Sequence, residues 1–211
     1  MTQIERVLFI RHGQTDWNVN GRWQGILPIG LNDVGRTQAE ALAIYLARRQ
    51  IGSIYTSPLP RALDTALALG QAVGVVPQVD ERLQEFNLGV FQGLTREEID
   101  QQYPNEWRNF EADYWDYVVT NGESRRALQT RAHEVFEDIV AKGIGPEVAI
   151  VSHGGTIRTL LHRLFEGAPE LNHFHIENTS LTTIERHGDS WRLHELAAVP
   201  HLGSRDNFST L

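Results

Sequence analysis

The sequence predicts an α/β protein: a three-layer α/β/α sandwich on a mostly parallel central sheet, with an inserted helical lid. Three observations carry this prediction. Val7-Leu8-Phe9-Ile10 and Val148-Ala149-Ile150-Val151 are continuous apolar runs rich in β-formers, the pattern of strands covered on both faces. Strand-like runs alternate with amphipathic helical stretches, as in parallel sheets. One aromatic and acidic stretch, residues 103–117, falls outside that alternation and reads as a lid folded over the sheet edge.

In chain order, Val7–Ile10 is a central strand, and residues 11–31 form a long polar loop of the kind that serves function in compact domains. Asn32 or Asp33 can cap a helix whose Ala39, Leu42, Ala43 and Leu46 recur at i, i+3, i+4 and i+7, stopping near Gly52. Ser53-Ile54-Tyr55-Thr56 is a second strand. Ser57-Pro58-Leu59-Pro60-Arg61 then turns into a helix, setting Arg61 near the positive end of its dipole, where a cation calls for an anion.

Val75–Val79 suggests an edge strand, because Pro77 cannot donate a ladder hydrogen bond. Residues 81–93 are punctuated by glycine without clean period, and Thr95 caps a short acidic helix. Trp107, Phe110, Tyr114 and Tyr117 are spaced to share one helical face. Residues 122–142 form a long amphipathic helix ended by Gly143 and Gly145-Pro146. Val148–Val151 then repeats the opening pattern, strand followed by His153-Gly154 and a helix. Ser180–Arg186 and Trp191–Val199 read as an antiparallel hairpin, and residues 203–211 as a loose tail.

Length, composition and charge narrow the function. The 211 residues fit a single domain, 1–211, with the lid inserted at about 95–121. With no cysteine there is no disulfide framework, thiolate nucleophile or cysteine zinc site. Neither a signal-peptide pattern nor a run of membrane-spanning length is seen, so the expected location is cytoplasmic, with no membrane partner. The net charge of −8 argues against nucleic acid as a partner. Residues 1–63 nevertheless hold seven Arg against four Asp and Glu, a local +3, so residues 64–211 carry −11.

Three junctions at strand ends stand out: Arg11-His12-Gly13, Thr56-Ser57 leading to Arg61, and Ser152-His153-Gly154. If the strands are parallel neighbours, two imidazoles and two guanidiniums converge at one sheet edge, where ligands of open α/β sheets bind. Two Arg forks suit a tetrahedral oxyanion, and a neutral imidazole can attack phosphorus.

This constellation resembles the histidine phosphatase superfamily, also called phosphoglycerate mutase-like. The segments that carry the resemblance are Leu8–Asn18, Ser57–Ala66, Leu83–Gly93, Asn121–Ser124 and Val151–Gly155. The resemblance implies that His12 is the nucleophile that becomes phosphohistidine and that Glu85 is the general acid and base. Arg11, Asn18, Gln24, Arg61, His153 and Gly154 would bind the transferred phosphoryl group, His153 also counting as catalytic. Partial burial among Phe86, Leu88 and Phe91 is expected to help Glu85 hold its proton. No metal and no cofactor is implied, and the partner is a small-molecule phosphate ester bound by a monomer or homodimer.

Leu27-Pro28-Ile29-Gly30-Leu31-Asn32 and Phe91-Gln92-Gly93 depart from the commoner family patterns Asp-x-Pro-Leu-Thr and Trp-Glu-Gly. Gln24-Gly25 stands where the mutases keep Thr-Gly, which favours a metal-independent phosphomonoesterase. The alternatives are a cofactor-dependent phosphoglycerate mutase and a non-catalytic phospholigand-binding protein. His173 and His175 alternate as ligands on a strand would, but lack a third ligand in the sequence and read as a solvated edge. His133, His162, His187, His194 and His201 are assigned to structure or surface.

Overall fold

In the computed structural model, which describes residues 3–171 and 173–203, six strands form one sheet in the order β3-β2-β4-β1-β5-β6. They are β1 (Arg6–Arg11), β2 (Ile51–Thr56), β3 (Gln78–Val79), β4 (Glu147–Ser152), β5 (Leu181–His187) and β6 (Ser190–Ala198). The four strands β1 to β4 run parallel, and the β5–β6 hairpin is added antiparallel beside β1. Arg11 is in register with Ser152 and Thr56 with Val151, so β1, β4 and β2 end side by side at one edge.

Side-chain alternation along the buried strands builds the layers. Val7, Phe9, Val148 and Ile150 pack on one face against α6 (Arg125–Lys142) and α7 (Gly154–Leu164). Leu8, Ile10, Ala149 and Val151 pack on the other against α2 (Asp33–Leu46) and α3 (Pro60–Val73). Each fully buried Leu, Ile or Phe contributes about 1.5–3 kcal/mol. At the opposite edge of the sheet, Glu147 is buried between Arg6 (3.3 Å) and Arg49 (2.7 Å), tying β4 to β1 and to the turn after α2. A third cluster, formed by Phe86, Phe91, Ile99, Trp107, Phe110 and Leu128, lies apart from both sheet faces.

Several expectations change. The loop after β1 contains a short helix, α1 (Asp16–Val19), closed by a capping box between Thr15 and Asn18. α2 ends at Leu46 and β2 begins at Ile51, so Gly52 lies within a strand instead of ending a helix. The expected edge strand shrinks to Gln78–Val79. Thr95 caps α4 (Arg96–Gln102) as expected, through a capping box with Glu98. α5 (Pro104–Ala112) buries Trp107 and Phe110 but stops before Tyr114 and Tyr117, which therefore share no helical face with them. α6 starts at Arg125 behind the cap residue Ser124. His173 and His175 lie in no strand. The predicted tail falls outside the described residues from 204 onward.

Among the described residues no helix is long and apolar enough to cross a membrane. One contact fixes the loop after β1. A Cβ on Gly35 would lie 2.0 Å from the Gln14 carbonyl oxygen, and one on Gly13 would lie 2.5 Å from that of Gly35. The start of α2 thus touches the backbone beside His12 directly. Gly35→Ala is expected to cost about 1–3 kcal/mol through this overlap. Denaturant titration checks it; an unchanged midpoint would mean that the loop gives way freely.

Candidate active site

Each strand of the central trio delivers one polar group at its carboxyl end. His12 follows β1 and its N–H donates to the Ser152 carbonyl (3.0 Å). Ser57 follows β2 and donates to the Val151 carbonyl (3.1 Å). His153 follows β4 and is the residue before α7. The His12 and His153 rings consequently sit 5.1 Å apart, centroid to centroid, both buried.

The hydrogen bonds of His12 define its chemistry. Nδ1 lies 2.7 Å from the Gly13 carbonyl oxygen, which can only accept, so Nδ1 carries the proton and Nε2 keeps its lone pair. Burial, with the cations Arg11 and Arg61 beside it, holds the imidazole well below its ordinary range, so it is neutral at physiological pH. His153 is depressed in the same way, by burial first and then by Arg61, His12 and Arg11. Its Nε2 pairs with Ser57 Oγ at 2.8 Å, while Nδ1 is buried without a partner among the described residues.

Arg61 is 0 % exposed. The anion expected to face it is replaced within the protein by two carbonyls, those of Leu27 (2.9 Å) and Gly25 (2.7 Å). Burial lowers its pKa to about 10, with Glu85 opposing and Arg11 adding to the shift, so it stays charged at neutral pH. Arg11 donates through Nη1 to the Ile176 carbonyl (2.5 Å) and is lowered by burial, against the pull of Glu85 and Glu177. Among the described residues the Nε atoms of both guanidiniums are buried without partners, as is Gln24 Oε1. Among the described residues neither guanidinium has a carboxylate within ion-pair distance.

Asn18 directs Oδ1 inward to Thr15 N (3.0 Å) and to the Asn178 amide (3.2 Å), leaving its own Nδ2 for the cavity. Glu85 sits at the N-terminus of α7, not simply among apolar side chains as expected. Its Oε1 accepts from Phe86 N (2.8 Å) and Thr156 N (3.1 Å), with Thr156 Oγ1 at 3.2 Å but closer to the Gln84 carbonyl (2.8 Å), and among the described residues its Oε2 accepts only from Gly155 N (3.0 Å). A Cβ on Gly155 would reach within 2.6 Å of Oε1, so glycine there lets the carboxylate seat on the helix end. Arg131 holds the chain behind Glu85, donating to the carbonyls of Arg82, Gln84 and Glu85 and pairing with Glu123 at 2.6 Å.

Arg11, His12, Asn18, Gln24, Arg61, Glu85 and Gly155 line one cavity of about 440 Å³. His153 and Gly154 are adjacent in sequence to the lining residue Gly155 but are not themselves among the lining residues. Gln92, in the second of the two segments that depart from family pattern, accepts through Oε1 from the N–H of Ile26, the residue just before the first, at 2.7 Å. Among the described residues no three His, Cys, Asp or Glu are grouped as metal ligands. The donors that converge are cations and amides, which suit an anion.

Sequence reasoning missed Arg22, Arg125 and Arg158, which also line the cavity, and the Ser57 and Arg131 supports. A signal for Arg125 was present. As the first residue of α6 it puts a cation at a helix N-terminus, the anomaly already noted at Arg61. Nothing local marks Arg158, an ordinary helix arginine four residues after Gly154.

Residues 7–199 match the family model described as "Histidine phosphatase superfamily (branch 1)". The chain is 42% identical over 169 residues to a glucosyl-3-phosphoglycerate phosphatase of Mycobacterium tuberculosis, covering 75% of this chain and 74% of that protein. It is 31% identical over 207 residues to a metal-independent phosphoserine phosphatase of Arabidopsis thaliana, covering 96% and 85%. A solved mycobacterial glucosyl-3-phosphoglycerate phosphatase in complex with VO3 superposes with a TM-score of 0.82 at 37% identity, covering 92% of this chain and 99% of that one.

Two buried neutral imidazoles make stability depend on pH. Below 6.5 the unfolded chain binds protons that His12 and His153 in the folded protein do not, so stability is present above that value and lost as pH falls below it. Each contributes a slope of up to ~1.4 kcal/mol per pH unit. Denaturant titrations between pH 7.5 and 5.5 check this, with His12→Gln expected to flatten the slope; equal slopes in both proteins would contradict it.

Proposed function

The chain belongs to the histidine phosphatase superfamily, branch 1, and from that premise we propose how its site works. It is a phosphomonoesterase of small phosphorylated metabolites. The observation that carries the residue assignments is the neutral His12, its Nε2 lone pair free beside the guanidiniums of buried Arg61 and partly buried Arg11, neither with a carboxylate partner among the described residues.

His12 Nε2 attacks phosphorus, and the N–P bond forms as the ester P–O bond breaks. The departing oxygen keeps the electron pair and takes a proton from Glu85. The phosphorylated imidazole is cationic, and the Nδ1–H bond to the Gly13 carbonyl stabilises that charge. Water then gives a proton to Glu85 and attacks phosphorus; the P–N bond breaks, its electrons return to Nε2, and inorganic phosphate leaves. Glu85 Oε2, which accepts only one hydrogen bond, is the oxygen that carries the proton.

Arg11, Arg61 and Asn18 donate to the equatorial oxygens, where charge is greatest in the transition state. Ser57 Oγ already accepts from Leu59 N (3.2 Å), which frees its hydroxyl hydrogen for His153 Nε2 and leaves the ring proton on Nδ1 as one more donor. Gln24 and Gly154 complete the cradle, Gly154 by offering backbone at the start of α7. Residues 95–121 serve as the cover of the pocket, a reading supported by Phe110 and Tyr114 in its wall.

Hydrolysis of a generic aryl phosphate is expected to persist in excess chelator and to fall at least ~10⁴-fold in His12→Ala. Acid quenching of the wild type with labelled substrate should trap an acid-labile phosphoprotein; activity retained in His12→Ala would remove His12 from the mechanism. Arg131→Gln, which frees the Glu85 segment, is expected to lower kcat by about 10²-fold with KM nearly unchanged. An effect on KM alone would remove Arg131 from the positioning of Glu85.

A further inference from the structure

Beyond the phosphoryl site the cavity meets three more guanidiniums, of Arg22, Arg125 and Arg158, which the hydrolysis just described does not use. Arg22 is already matched. It pairs in two-pronged fashion with Glu98 (2.7 and 3.0 Å) and donates to the Gly93 carbonyl.

Arg125 and Arg158 are not matched. Arg125 donates through Nη1 to the Tyr114 carbonyl (2.7 Å) and lies over the rings of Phe110 (3.8 Å) and Tyr114 (4.0 Å). Arg158 donates through Nη2 to the Phe174 carbonyl (2.8 Å) and lies over the Phe174 ring (4.4 Å). Both are half-buried, and among the described residues neither has a carboxylate within ion-pair distance. Burial lowers both pKa values, while the electrostatics of Tyr114 act on both groups. A cation kept partly out of water and answered only by carbonyls and ring faces is destabilised until an anion arrives.

Arg125 spends Nη1 on the protein and keeps its Nε–Nη2 edge, two adjacent N–H groups, without protein partners among the described residues; Arg158 spends Nη2 and keeps Nε and Nη1, which lie on different edges, so it offers single N–H donors. A pair of planar N–H groups fits the two oxygens of a carboxylate. We propose that Arg125 and Arg158 form a second anion subsite that reads a carboxylate borne by the molecule whose phosphoryl group His12 attacks, making phosphorylated hydroxy acids the substrate class. The proposal rests on the phosphatase reading, since the first anion it presupposes is the phosphoryl group.

Matched esters test it: 3-phosphoglycerate against glycerol 3-phosphate, and O-phosphoserine against phosphoethanolamine, each pair differing by the carboxylate. The wild type is expected to favour the carboxylated member in kcat/KM by roughly 10- to 100-fold, the worth of a charge-assisted hydrogen bond. Arg158→Gln and Arg125→Gln should each bring that ratio to within about threefold, and Arg125→Lys should retain an intermediate preference. Because the readout is a ratio within one variant, a general loss of activity does not mimic it.

Ratios unchanged in both Gln variants, or a wild type with no preference, would overturn the subsite while leaving the phosphatase intact. An arginine-dependent preference for glycerol 1,3-bisphosphate over 3-phosphoglycerate would replace the carboxylate by a second phosphoryl group and overturn the assignment. Hydrolysis of none of these esters by the wild type would remove the phosphatase reading itself, and the subsite with it.

Discussion

Arg61, fully buried, and Arg11, partly buried, are cations to which the protein supplies no carboxylate within ion-pair distance among its described residues. Taking a guanidinium out of water costs several kcal/mol, and carbonyl oxygens from Ile176, Leu27 and Gly25 offset only part of that. Much of the surrounding architecture follows from this constraint. The cations can be held apart from acids because three parallel strands end together and fix the backbone that carries His12, Ser57 and His153. Burial first, and this positive field with it, keeps both imidazoles neutral, so the charge that attracts a phosphoryl group also helps keep the Nε2 lone pair of His12 available.

Glu85 shows how an acid is kept near these cations without neutralising them. Its carboxylate is engaged by the first amides of α7 and by Thr156, and its backbone is clamped by Arg131, itself balanced by Glu123. Were Glu85 free to swing onto Arg61, it would compete with the substrate's phosphoryl oxygens. Two backbone amides on Oε1 against one on Oε2 leave Oε2 the freer oxygen, which gives the proposed proton transfer a direction. Gly155 is the condition for this seat, because a side chain there would meet the carboxylate.

The sheet and its four chemical groups were legible in the sequence because they rest on local signals. Apolar runs end abruptly in Arg-His or Ser-His, and a cation sits at the start of a helix where the dipole opposes it. Glu85 was legible only through resemblance. Residues 81–93 fold as short 3-10 turns whose period carries no pattern, and the partners that hold Glu85 lie about 70 residues away at Gly155 and Thr156. The segment over the pocket was overread as one aromatic helical face. α5 ends at Ala112, so Tyr114 escapes the buried cluster and stands 46 % exposed beside Arg125. Spacing alone cannot say where a helix stops when no glycine or proline marks its end.

These differences divide the site by origin. Of the groups assigned to phosphoryl transfer, Arg11, His12 and His153 come from strand ends, Gly154 from the start of α7 and Arg61 from the first turn of α3, where backbone hydrogen bonds of the sheet and helices set their positions, and Glu85 is seated on the first amides of α7. The groups proposed to read the rest of the substrate come from side-chain stacking: Arg125 on Phe110 and Tyr114, Arg158 on Phe174. Ring faces constrain a guanidinium less tightly than a ladder of hydrogen bonds, and their identity can change without disturbing the sheet. A fold arranged this way can exchange one substrate for another by altering the aromatic cover and its arginines while the chemistry at His12 is untouched. That separation is why the reaction was readable from the strand ends, whereas the substrate had to be argued from charges that only the folded chain brings together.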